Sequence, residues 1–144
     1  MRINITPEVI RAFMNLKIVR DLTRYRQRII DEAVAVLTAK DFFSGFDRPA
    51  ESVARAVCEG LLDLLTDPDR SSDPRTVEMF MERLYNLIRK KSLKVDTTLE
   101  FLDTFEGIVR RPLDNVEDRD IDAFFSLCRS IIRQRHKELA RKLR

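Results

Sequence analysis

Residues 121–144 read IDAFFSLCRSIIRQRHKELARKLR. Ile121, Phe125, Cys128, Ile132, Leu139 and Leu143 recur there at steps of three, four and seven. That spacing puts all six on one face of a helix. An extended strand would send the same residues to both of its sides. The stretch is therefore read as a long amphipathic helix, opening after Asn115 and running toward the C-terminus.

The same pattern recurs upstream. Thr6-Pro7-Glu8 supplies a capping residue, a proline at the first helical position and an acid favoured by the helix dipole. Ile18, Leu22, Tyr25, Ile29, Ala33 and Val36 then mark one apolar face, predicting a helix over about 7–39. It ends near DFFSGF (41–46), where Gly45 permits a left-handed turn. A second helix starts near Asp47-Arg48-Pro49 and runs to about Leu65, with Val53, Val57, Leu61 and Leu64 inward. Ala54 and Gly60 are small enough to let a neighbour come close. Asp73 and Pro74 open a third helix, whose inner face is Val77, Phe80, Met81, Leu84 and Ile88. After the connector KKSLKVD (90–96), Thr97 and Glu100 match the reciprocal capping box of a fourth helix. Leu99, Leu102, Phe105 and Val109 line that helix, and Pro112 ends it. The expectation is an all-α bundle of about five helices in a single domain, residues 1–144, with the first and last helices longest.

Composition agrees with this class. In 144 residues, 44% hydrophobic content provides enough apolar material to offset chain entropy. Three glycines and five prolines are too few for the tight turns of an all-β chain. No apolar run approaches the ~20 residues of a membrane span, and MRINITPEVIRAFM lacks a signal-peptide plan. Cys58 and Cys128 each sit inside an apolar helical pattern, with no CxxC. They read as reduced core thiols of an intracellular protein, cytoplasmic or nucleoid/nuclear.

The net charge of +3 conceals a strong asymmetry. Residues 1–28 carry +5, residues 129–144 carry +6, and the hundred residues between them carry −8. In the first helix Lys17, Arg20, Arg24 and Arg28 step by three, four and four. In the last, Arg129, Arg133, Lys137 and Arg141 step by four. Each set forms a ridge with a charge every ~6 Å, the rise of four helical residues. Arginine suits phosphate because its planar fork makes paired hydrogen bonds to phosphate oxygens. Antiparallel packing of the first and last helices would merge the ridges into one face, and parallel packing would separate them.

Other chemistry is weaker. From Asp67, oxygen-bearing side chains fall at positions 1, 3, 5, 7 and 12: Asp67, Asp69, Ser71, Asp73 and Glu78. This resembles an EF-hand calcium loop, but Ser72 replaces the turn glycine and Pro74 removes an N–H. A proline-rich loop followed by a helix cap explains the same residues without metal. Asp118 and Asp122 share a face and would hold Mg²⁺ only with a third ligand. The alternative is a cluster of acids at a helix N-terminus. Arg129 and His136 resemble the R-x(4–6)-H signature of HEPN ribonucleases, which implies RNA cleavage at a dimer interface. Without that resemblance, His136 reads as a packed residue beside the apolar stripe with one satisfied hydrogen bond. Three scattered glycines build no phosphate loop.

The expected function is a non-catalytic binding module of a larger assembly, needing no cofactor or metal. Arg20, Arg24, Arg28, Arg129, Arg133, Lys137 and Arg141 would contact nucleic-acid phosphates, of RNA or DNA, without sequence readout. The same face would also suit an acidic protein surface. The alternative expectation is a protein–protein adaptor or self-associating scaffold, such as a homodimer, using Phe42, Phe43 and Phe46. Neither reading involves a membrane.

Overall fold

Tyr25 divides what the periodicity predicts as one helix. Its backbone angles, φ −102° and ψ 9°, leave the helical region. The hydrogen bonds from Tyr25 N to Asp21 O and from Ile29 N to Tyr25 O nonetheless keep the four-residue register on both sides. The result is a bend between α1 (residues 19–24) and α2 (Arg26–Ala39). Four further helices follow: α3 (Ala50–Thr66), α4 (Pro74–Arg89), α5 (Val95–Arg110) and α6 (Arg119–Lys142). The computed structural model describes residues 19–40, 42–43, 46–67, 73–89, 95–113 and 119–142. Among them there are six helices rather than five, and no strand. The expected start at Thr6-Pro7-Glu8 and the turn at Gly45 lie outside the described residues.

Local signals fix several boundaries. Asp73 caps α4 as predicted: Arg75 N–H donates to Asp73 Oδ1 and the Thr76 hydroxyl donates to Asp73 Oδ2, each at 3.0 Å. Arg110 ends α5, and Leu113 N donates back to Arg110 O in a tight turn at Pro112. The capping box at Thr97 is not used as expected. Helix α5 begins two residues earlier, at Val95, so Thr97 and Glu100 lie inside it. The Glu100 carboxylate instead accepts from Lys40 Nζ at 3.2 Å.

Helix α5 occupies the centre. It packs against α2, α4 and α6, while α2 also packs on α3, and α4 on α6. Helices with two or three neighbours bury more than one stripe. Thus α2 buries Ile30, Val34 and Leu37 beyond the predicted Ile29 and Ala33. Helix α5 adds Phe101, Ile108 and Thr98 to the predicted set. In α3 the inward face is turned by one residue. Ala54, Cys58, Leu61, Leu62, Leu64 and Leu65 are buried, and Val53 and Val57 only half-buried.

A file of rings runs through this core. Phe42 and Phe43 meet Phe101 edge-on at 5.7 and 5.6 Å, Phe101 stacks on Phe105, and Phe105 reaches Phe125 at 6.3 Å. Phe42 is 5% exposed and Phe43 1%, and Phe46 is half-buried against the same core. This corrects the expectation for Phe42 and Phe43, which are core rather than docking residues, while Phe46 stays partly exposed. Phe42 and Phe43 follow α2 in the chain and pack on Phe101 of α5.

Candidate functional site

Ion pairs show how α2 and α6 run relative to α5. Glu32 of α2 pairs with Arg111, just past the C-terminal end of α5, and Lys40 pairs with Glu100 near its start. On the other flank, Asp122 of α6 pairs with Arg110, and Arg129 pairs with Asp103 at 2.8 Å and with Glu106. Both α2 and α6 therefore run antiparallel to α5 and parallel to each other. The two basic ridges do not merge. Arg20, Arg24 and Arg28 precede Glu32 and lie past the C-terminal end of α5. Arg133, Lys137 and Arg141 follow Arg129 and extend in the opposite direction.

The cations of α6 fall into two groups by what they face. Arg129 turns toward α5. Its guanidinium also lies 5.9 Å from the centre of the Phe125 ring. Burial works against its charge, but the hydrogen bonds and charges of Glu106 and Asp103 more than offset that, holding the guanidinium above its ordinary pKa. Arg110 bonds Glu106 from the other side at 2.8 Å, so five charges, Asp103, Arg129, Glu106, Arg110 and Asp122, alternate in sign between α5 and α6. Arg135 turns toward α4 and is held by Glu78 at 2.9 Å, Glu82 at 3.1 Å and Glu138 at 3.2 Å. Arg133, Lys137 and Arg141 are exposed and make no ion pair with another described residue. Arg129 thus leaves the ridge predicted from its spacing. The sequence shows the spacing but not the carboxylates that a partner helix brings to it.

The first ridge has the same form. Arg20, Arg24 and Arg28 are exposed at steps of four, with no ion pair to a described residue. The Arg24 guanidinium lies over the Tyr25 ring, 5.4 Å from its centre. Lys17 lies outside the described residues.

His136 is engaged on a third helix. Its Nδ1 lies 3.0 Å from the Tyr85 hydroxyl, with the two rings edge to face. Arg129 and His136, two turns apart on α6, are therefore committed to α5 and α4 respectively. In the HEPN resemblance they would act together. Tyr85 is 4% exposed, and burial raises its pKa, with the charge of Arg89 opposing that shift. No sequence signal marks Tyr85 as the histidine's partner, since 51 positions separate them.

The remaining candidates are used structurally. Of the calcium-loop residues, Asp73 caps α4 and Glu78 holds Arg135. Asp69 and Ser71 lie outside the described residues. Of the acidic pair, Asp122 holds Arg110, and Asp118 lies outside them. Among the described residues, no group of three or more histidine, cysteine, aspartate or glutamate side chains is placed to hold a metal. No described helix is long and apolar enough to cross a membrane. Cys58 and Cys128 are free and fully buried, and desolvation pushes both thiols up to about 12. Comparison with known protein families, curated proteins and solved structures finds no match for this chain.

Proposed function

We propose that the protein holds nucleic acid by its phosphates, without reading bases, as a non-catalytic part of a larger assembly. One observation carries the reading. Cations of α6 that face the bundle are neutralised by carboxylates, while Arg133, Lys137 and Arg141 stand exposed at a helical spacing of four with no ion pair to a described residue. A solubilising surface would not need its free cations aligned. Three aligned charges, each ~6 Å from the next, match a phosphate backbone. Tyr85 is buried and Tyr25 half-buried, and the one large apolar side chain exposed among the described residues is Met79. Among the described residues little aromatic surface is open for stacking on bases, which favours the phosphates as the point of contact.

The test is binding of a labelled duplex, followed by fluorescence anisotropy as salt is raised. Affinity falls steeply with salt, and replacing Arg133, Lys137 and Arg141 with Gln weakens unrelated sequences equally. Affinity that ignores salt, or no binding of either DNA or RNA at low salt, would sink the proposal.

A further inference from the structure

The two ridges stand far apart, and the described cation of α5 between them, Arg110, is paired with carboxylates. Arg24 lies eight residues before Glu32, and Lys137 lies eight residues after Arg129. At 1.5 Å per residue, Lys137 lies ~12 Å beyond Arg129 and Arg28 ~6 Å beyond Glu32, with Arg24 and Arg20 past the interruption at Tyr25, which places the ridges more than ~20 Å apart along the bundle. Each ridge is only ~12 Å long. The waist between them is filled by matched pairs: Lys40–Glu100, Arg111–Glu32, Arg110–Asp122 and Arg129–Asp103. Three of those carboxylates, Glu100, Asp103 and Asp122, have more than half of their side-chain surface in solvent. A phosphate backbone running from one ridge to the other would have to cross these acids. The cations it would meet in these four pairs already face carboxylates, so they are poor replacements for its own counterions.

We infer that each ridge takes its own nucleic-acid segment, so that one chain bridges two segments. The inference rests on the phosphate-binding reading above. It replaces one continuous track with two short ones held at a fixed spacing by α5. Each ridge alone supplies three cations, which gives weak and salt-sensitive contacts. Two segments tethered through one chain would raise each other's local concentration, as in any bivalent binder.

The experiment uses the full chain, one short DNA duplex on beads and the same duplex carrying a fluorophore in solution. Wild-type protein retains the fluorescent duplex on the beads at low salt. The variants R20Q/R24Q/R28Q and R133Q/K137Q/R141Q alter exposed side chains only, and circular dichroism confirms that their helices are intact. Each variant still binds the fluorescent duplex in solution, but its retention on beads falls to the level seen without protein. Combining both sets abolishes binding. Wild-type protein that binds duplex without bridging, or a single-ridge variant that still bridges, overturns the inference and leaves the phosphate reading standing. Loss of all binding when one ridge is removed also overturns it, because it reduces the protein to one site. Failure of wild-type protein to bind either duplex overturns both.

Discussion

The Tyr85 hydroxyl and His136 Nδ1 lie 3.0 Å apart and join α4 to α6 across the flank of the bundle. Tyr85→Phe keeps the ring and removes only the hydroxyl. The expected cost is about 1 kcal/mol, the net worth of one such bond. Urea denaturation measures it as a lower midpoint with an unchanged slope. An unchanged midpoint would show that the bond contributes nothing.

Arg129 and Arg133 separate packing from binding. Arg129→Ala leaves Glu106, whose side chain is 17% exposed, short of a partner. It should cost about 1–2 kcal/mol of stability, below the figure for a fully buried pair because the network is partly solvated. It should leave the salt dependence of nucleic-acid binding unchanged. Arg133→Ala should do the reverse, with stability unaltered and the slope of log affinity against log salt shallower by about one. If both variants change the same quantity, the division of α6 into a packed and a free set of cations fails.

Gly107 and Gly60 differ in what surrounds them. A methyl group added at Gly107 meets nothing within 4 Å, so Gly107→Ala should raise stability by about 0.5–1 kcal/mol through helix propensity alone. The same methyl at Gly60 would stand 2.7 Å from Phe80 Cε2 and force the ring aside. Thermal midpoints should place Gly60→Ala below Gly107→Ala.

Alkaline pH should loosen the fold. Burial raises both thiols from 9.0 to about 12 and raises Tyr85 above 10. A folded-state pKa above the unfolded value means that the native state holds its proton more tightly. The stability this represents is fully present below about pH 9 and is lost as pH climbs toward 12. Denaturation midpoints should therefore fall between pH 9 and pH 11, and Tyr85→Phe should remove part of the decline. In the native protein at pH 8, a thiol reagent should label neither cysteine. Both should react in denaturant.

Periodicity reveals which stretches are helical because each helix keeps one main stripe toward the core, as in Ile121, Phe125, Cys128 and Ile132. It undercounts α2 and α5, which have several neighbours and bury Ile30, Val34, Phe101 and Ile108 besides the main stripe. The phenylalanines of DFFSGF look like a patch because a loop position carries no periodicity that would show which way a ring turns. The spacing of four that aligns Arg129 with Arg133 is local, whereas the carboxylates that occupy Arg129 come from positions 23 and 26 residues away. Candidate cations are thus legible in the sequence. Which of them remain free is decided by partner helices.

The central place of α5 also orders events during synthesis. Helices α2 and α3 are consecutive and pack together, so their contact needs no later part of the chain. The other face of α2, and the phenylalanines after it, must wait for α5, whose Glu100 trails Lys40 by 60 residues. Until then, a nascent chain shows solvent the apolar surface that the finished protein hides. Chain termination before residue 100 should therefore yield a sticky fragment that needs chaperone cover, rather than a smaller working domain.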